Sequence, residues 1–369
     1  MAKTNVSSKV AEAIAAKKAK IKAESVKPAE EYMEAESAFE TVTSNKIEGQ
    51  PIMYSDLFGT PDGNFKGKDF PVSVFSEEYW DEEVAHMIPD EFEHVIDHSV
   101  VFPTMMGIET GQPTLLHGAP GTGKTTVIKL IAHKTKRPYI RVNGQAGVEP
   151  ADYIGSPVIT NGTMSYSLGR VGLAVKHGAL LAIDEPFKLD AGVMMAFQWM
   201  FEKDNPSLLL YGHPDTSQQM LPAHPDFRVV LADNVRGVGD GFAQFAATTV
   251  QDSSTLNRMG VRVNVGYLPM EDEMSLVRNH LARIGVKLPD TAIRKMVMLA
   301  NAIRSGWSNG QFEIPYSPRD LISWVDFASK CNDIGMGFLY TYAEGCSEQE
   351  QQVLRKLWSD AGFTEKSYL

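Results

Sequence analysis

Residues Gly118, Ala119, Pro120, Gly121, Thr122, Gly123, Lys124, Thr125 and Thr126 carry the chemistry of phosphate binding. They satisfy the pattern G-x-x-x-x-G-K-[ST], in which glycines let the backbone turn sharply and aim its amides at phosphate oxygens. Thr114–His117 reads as a short strand before the loop, and TTVIKLIAHKTK reads as a helix after it. The helix begins at the loop, so the positive end of its dipole faces the same phosphates. Lys124 offers charge to the β- and γ-phosphates of ATP, and Thr125 offers a hydroxyl to magnesium. A Gly-rich turn without a ligand would not need this strand and helix around it.

A second constellation is Asp184-Glu185, which ends the run ALLAIDEP. An apolar strand that delivers two carboxylates to its C-terminal end places them where open α/β sheets bind ligands. Asp184 can hold magnesium through its water shell, and Glu185 can polarise an attacking water as general base. The pair suits ATP hydrolysis better than phosphoryl transfer to a small molecule. Taken alone, it could also be two solvated carboxylates at a strand end.

The elements that must position these groups are legible from pattern. The runs TLLH, PYIRV, ALLAI, RVVLA and VRVNVGYL are short and nearly continuously apolar. Such runs are expected of a parallel sheet covered on both faces. From about Glu271 the pattern becomes helical and stays so. The reading is an α/β core over 91–270 and a helical lid over 271–369. Residues 46–90 form a lead-in with aromatics Phe70, Phe75, Tyr79 and Trp80 between turn signals at Thr60-Pro61-Asp62-Gly63 and Gly67. Residues 1–45 are a charged tail, flexible or helical, rich in Ala, Lys and Glu.

Bulk properties bound the class. The 369 residues suffice for about two domains. Hydrophobic residues at 43% and charged residues at 22% are ordinary for a soluble globular protein. No apolar run approaches the roughly 20 residues a membrane helix needs. The N-terminal lysines precede no apolar block, so a secretory signal is not expected. The expected compartment is the cytoplasm, where Cys331 and Cys346 would stay reduced. A net charge of −11 repels nucleic acid as a whole-protein field and disfavours a DNA translocase.

From about Phe92 to about Ala328 the chain resembles the AAA+ ATPases, and more narrowly the MoxR type and the CobS-type ATPase subunit of cobaltochelatase. The resemblance rests on the phosphate loop and on PYIRVNGQ, a second strand ending in Asn143. It continues through DYIGSPVITNGTMSYSLGRVGLAVKHG, the Asp184-Glu185 strand and the helical AGVMMAFQWMFEKD. It then takes in LLLYGHPDTSQQMLPAHPDF, FRVVLADN, the Gly-rich GVGDG segment leading to LNRMGVRV, and YSPRDLISW. It implies a five-stranded parallel sheet in the order 5-1-4-3-2. It also implies a helix-2 insert hairpin, whose Asn161-Gly162 turn is a hairpin signal in its own right.

The resemblance further implies roles. Asn234 takes the sensor-1 place and holds the lytic water. Arg258 takes the place of the arginine finger that reaches a neighbouring subunit, with Arg262 and Arg236 as competitors. Met259 departs from the MoxR pattern just after that arginine. Arg319 takes the sensor-2 place at the start of a lid helix, where Ser317 is a plausible N-cap and Pro318 suits the first turn. An arginine there opposes the helix dipole, a conflict that a bound phosphate would resolve.

The implied assembly is a homo-oligomeric ring of six subunits, binding ATP and Mg2+ at its interfaces. The first functional reading is a motor that remodels a protein partner. The second is the motor subunit of a cobalt or magnesium chelatase. Either needs a separate partner, such as one with a von Willebrand A domain, because no DxSxS segment of that domain is present in this chain. A nucleotide-switched scaffold with little turnover is a third reading, which intact Glu185, Asn234, Arg258 and Arg319 oppose.

Overall fold

Aromatic side chains in the lead-in find their place first. In the computed structural model, β1 (Gln50–Met53) pairs antiparallel with β2 (Pro71–Val74). The short helix Tyr54–Phe58 leaves β1 and buries Tyr54 and Phe58. Tyr54 stacks on Phe70, and both meet Phe102 edge-on, with centroids 5.1–5.4 Å apart, fastening the lead-in to α1 (His98–Glu109). Phe75 and Trp80 enter the core cluster, and Trp80 Nε1 donates to Lys136 O at 2.7 Å. Arg137 is fully buried, its guanidinium 4.5 Å from the Phe75 ring centroid and donating to Asp226 O at 3.1 Å. Tyr79 closes the same cluster by donating its hydroxyl to Asp226 at 2.5 Å.

The structure describes residues 50–60, 68–92, 94–160, 162–234 and 256–364, all in one unit, Ile47–Leu369. The charged tail over 1–45, the turn from Pro61 to Gly67, Asn161, and the Gly-rich segment with Arg236 lie outside the described residues.

The five apolar runs become one parallel sheet. Its strands are β3 (Thr114–His117), β4 (Tyr139–Asn143), β7 (Leu180–Asp184), β10 (Arg228–Asp233) and β11 (Val261–Asn264). The sequence between β4 and β7 holds β5 (Gly155–Thr160) and β6 (Thr163–Leu168). Between β7 and β10 lie β8 (Ser207–Leu209) and β9 (Met220–Pro222). The sheet order is β11-β3-β10-β7-β4, which is the implied 5-1-4-3-2 when these five strands are counted along the chain. Every residue of β7 is buried, as expected of its apolar run Leu180–Ile183, and Asp184 at its end is buried with them. Helix α2 (Lys124–Thr135) follows β3, and α3 (Arg170–His177) precedes β7. Separate apolar clusters cover the two faces. The register sets Asp233 against His117, Ala232 against Asp184, and Asn143 against Asp184. The C-terminal ends of four strands therefore meet along one edge.

Two further hairpins project from this core. β5 pairs with β6 in the insert, and its cross-strand neighbours Ile159 and Met164 are 72% and 55% exposed. β8 pairs with β9. The stretch after Asp184-Glu185 is less regular than its pattern suggests. It forms α4 (Ala191–Phe197) and then tightens into a 3-10 turn over Gln198–Phe201. The likewise apolar run VRVNVGYL is a strand only as far as Asn264, because Pro269 caps the next helix and leads the chain into the lid.

The lid comprises α5 (Met270–Arg283), α6 (Asp290–Ser308), α7 (Pro318–Cys331), α8 (Ile334–Thr341) and α9 (Glu348–Asp360). Capping boxes start α7 and α9: Ser317 with Asp320, and Ser347 with Glu350. Trp324, Phe338, Tyr316 and Trp358 fill the lid core, and Gly337 lets α8 lie against Trp324 and Ala328. No described helix is long and apolar enough to cross a membrane.

The lid also encloses a charge pair. Arg304 donates to both oxygens of Glu273, at 2.7 and 2.5 Å, and both residues are at most 5% exposed. Breaking such a pair leaves an uncompensated buried charge. Glu273→Gln should therefore cost about 3 kcal/mol of lid stability, read from the denaturant midpoint of tryptophan fluorescence. An unchanged midpoint would show that water reaches Arg304.

Candidate functional site

The strand-edge geometry comes to a focus on Lys124. The loop before it turns through Gly118, Gly121 and Gly123, with φ of 154°, 73° and 90°. Two of these glycines are also needed for space. A Cβ on Gly118 would stand 2.1 Å from Val265 O, and one on Gly121 would stand 2.2 Å from Ser317 Cβ. Lys124 is only 8% exposed. Its ammonium donates to Gly118 O and Ala119 O at 2.8 Å and to Asn234 Oδ1 at 2.9 Å. Burial pulls its pKa down to about 8, against the opposing pull of Asp233, Asp184 and Glu185.

The acidic pair stands across from the loop. Thr125 Oγ1 lies 2.9 and 3.1 Å from the two carboxylate oxygens of Asp184, so a hydroxyl and a carboxylate converge on one point. Arg141, projecting from β4, also engages Asp184, with Nε 2.6 Å from Oδ2. Glu185 sits in the left-handed region, φ 52° and ψ 45°. Its carbonyl packs where Gly144 approaches, and a Cβ on Gly144 would stand 2.1 Å from it. Its carboxylate accepts from Lys188 at 2.8 Å. A non-glycine residue in this region is strained, and such strain concentrates at functional positions.

Arg141 and Lys188 are the site residues that pattern reading missed. Lys188 carried a weak signal, standing three residues after Glu185, the spacing that one 3-10 turn brings onto the same side. Arg141 carried a signal too, because it is the charged member of an otherwise apolar strand run.

The opposite wall comes from the lid. A cleft of about 680 Å3 is lined by the phosphate loop, Arg141, Asn143, Asp184, Glu185, Asn234 and, from the lid, Pro318, Arg319 and Ile322. Arg319 is thus on the same cavity as Lys124. Tyr267 bridges loop and lid: its hydroxyl donates to Pro120 O at 3.3 Å, and the Arg304 guanidinium lies 4.3 Å from its ring centroid. Arg258 and Arg262 do not line this cleft. Arg258 Nε lies 3.0 Å from Glu202 Oε1 and is about one-third exposed, while Arg262 hydrogen-bonds to Leu256 O. Of the expected site residues, the structure brings together 118–126, Asp184, Glu185, Asn234 and Arg319, and it sets Arg258 apart.

Comparison with known proteins agrees with this architecture. The model of the AAA domain (dynein-related subfamily) matches residues 113–249. The chain is similar to the aerobic cobaltochelatase subunit CobS of Sinorhizobium sp, 27% identical over 282 residues, covering 74% of this chain and 82% of that protein. It is 24% identical over 259 residues to von Willebrand factor A domain-containing protein 8 of Mus musculus, covering 66% of this chain but 13% of that protein. The gas vesicle ATPase GvpN of Haloferax mediterranei is 24% identical over 207 residues, covering 51% of this chain and 56% of that protein. The chain thus spans most of the first relative and smaller parts of the others. With the parallel sheet in the order β11-β3-β10-β7-β4 and a cleft at its strand ends, these likenesses support an AAA+ ATPase of the MoxR/CobS type.

Proposed function

We propose that this chain hydrolyses ATP to ADP and phosphate with Mg2+, as a ring-forming motor that acts on a separate protein partner. The observation that carries the reading is the convergence of Lys124, the Thr125–Asp184 pair, Glu185 and Asn234 on one strand edge, with Arg319 facing them across the cleft. The donors suit magnesium, because hydroxyl and carboxylate oxygens within 3.1 Å of each other are the hard ligands it takes. Thr125 and Asp184 would hold it, and the chemistry it supplies there is neutralisation of charge on the phosphate oxygens.

The remaining roles fall to side chains of this chain. Loop amides from Gly118 to Thr126 and the Lys124 ammonium bind the phosphates. Glu185 takes a proton from the attacking water, and Lys188 holds the carboxylate in place until then. Asn234, fixed by Lys124, orients that water. Arg319 meets the terminal phosphate from the lid. Arg258 lies outside its own cleft, which suits an arginine that completes a neighbour's site in a ring. The exposed Ile159–Met164 tip of the insert hairpin is a surface for the partner.

A second reading is the motor subunit of a metal chelatase. It is favoured by the likeness to CobS, which covers 82% of a protein named as a cobaltochelatase subunit. Reconstitution separates the two readings: chelatase work requires ATP-dependent metal insertion into a tetrapyrrole when partner subunits are added, and remodelling does not.

Three outcomes test the site. Lys124→Ala should abolish nucleotide binding, whereas Glu185→Gln should keep binding and lose turnover. Wild-type turnover in Glu185→Gln would remove Glu185 from the role of base.

The second outcome concerns pH. A lysine whose pKa lies near 8 in the free protein must be protonated to hold a polyanion, and the phosphates raise its pKa when bound. Nucleotide affinity should be flat below about pH 7 and fall roughly tenfold per pH unit once pH rises past about 8. Equilibrium titration across pH 6.5–9.5 would read roughly that fall. A flat profile to the alkaline end would mean that Lys124 stays charged throughout.

The third concerns the ring. Arg258→Ala should leave nucleotide affinity nearly intact and lower turnover by about 10³-fold or more. Mixing Arg258→Ala with Lys124→Ala subunits should restore part of the activity, since some interfaces then join an intact loop to an intact Arg258. If mixed rings form and stay inactive, Arg258 does not act across the interface.

A further inference from the structure

Away from the nucleotide cleft, the lead-in and α3 bring three metal-ligating side chains together. His177 ends α3 and is 8% exposed. Its ring stands between two carboxylates, with Nε2 3.0 Å from Glu83 Oε2 and Nδ1 3.7 Å from Asp81 Oδ2. One ligand atom from each of the three residues lies within 4.8 Å of the other two. The Nε2 atom is sealed from solvent and makes no hydrogen bond, since Glu83 is near it but off the line that an N–H bond requires. Buried ring nitrogens are seldom left in that condition.

The surroundings suit a cation. Asp81 accepts from Glu83 N at 2.9 Å and caps the short helix Glu82–Ala85, so one turn of backbone fixes both carboxylates. Their side chains are 56% and 51% exposed, which leaves an entry path and freedom to close on an ion. The last turn of α3 contributes the negative end of its helix dipole. Lys176 Nζ, 3.7 Å from Glu83 Oε2, is the internal competitor.

We infer that Asp81, Glu83 and His177 bind one divalent transition-metal ion of the zinc class. Imidazole nitrogen with carboxylate oxygen favours such borderline ions over magnesium or calcium, which take oxygen alone. Ligands about 2.1 Å from zinc stand roughly 3.4 Å apart in a tetrahedron. One ring nitrogen and one oxygen from each carboxylate lie within 4.8 Å of one another, wider than that spacing, and turns of the two exposed carboxylates toward a single ring nitrogen close the set. Three protein ligands leave a fourth position for water. The ion ties the lead-in to α3, the helix that joins the insert hairpin to the strand ending in Asp184.

The test is a zinc titration of the full chain, stripped with chelator and free of nucleotide. Calorimetry should find a zinc site whose affinity drops at least tenfold in Glu83→Gln and in Asp81→Asn, an exchange that keeps the helix cap. Zinc should raise the melting temperature of the wild type and not of these variants. Cobalt(II) should give visible ligand-field bands in the wild type that both variants lose. His177→Gln should lose binding as well; if it fails to fold, the two exposed variants decide the matter. Absence of zinc uptake at micromolar concentration, or uptake unchanged in Glu83→Gln and Asp81→Asn, overturns the site.

Discussion

The burial of one ammonium group organises the strand edge. An ammonium removed from water is tolerated only where acceptors and counter-charges surround it. Lys124 meets that condition through two loop carbonyls, Asn234 and the three carboxylates of Asp184, Glu185 and Asp233. Those acceptors come from β3's loop, from the end of β7 and from the end of β10, so the register of three strands is bound to one charge. Asp233, only 2% exposed, also accepts from Phe187 N at 3.1 Å, fixing the turn that carries Glu185. A shift in any of these strands would leave a buried charge short of partners.

The second constraint is spatial. Gly121 leaves no room between the phosphate loop and Ser317, the residue that caps α7. Tyr267 spans the same junction from Pro120 to the Arg304 guanidinium, and Arg304 in turn donates from Nε to Tyr316 O at 2.8 Å. Tyr316 immediately precedes Ser317. The phosphate loop is therefore in contact with the N-terminus of α7, which carries Arg319, both directly at Ser317 and through Tyr267 and Arg304.

Much of the fold was legible because its signals are local. Five apolar runs became five strands, and Ser317 as N-cap with Pro318 in the first turn marked the start of α7. What pattern could not supply was lateral proximity. Arg141 precedes Asp184 by 43 residues and reaches it only because β4 and β7 are neighbours in the sheet. The resemblance supplied that strand order, yet not the direction of a strand side chain. Tyr267 escaped notice for the same reason, since its partner Pro120 lies 147 residues away. The run VRVNVGYL read as a longer strand than it forms because apolar composition persists past Asn264 while the backbone has already turned toward Pro269.

Local cations also shape what the cleft can do. Asp184 is held by Arg141, and Glu185 by Lys188, so each acidic residue at the strand edge has its own counter-charge. The two arrangements differ in kind. Arg141 shares Asp184 with Thr125 on a sheet strand, which fixes the carboxylate where its two oxygens face the loop. Lys188 grips Glu185 from the next turn, and both side chains are 39% exposed, so that pair is screened by water and opens at little cost. The firmly held carboxylate is the one suited to holding charge in place. The loosely held one is suited to exchanging a partner for a proton, and its strained backbone keeps it pointed into the cleft while it does so.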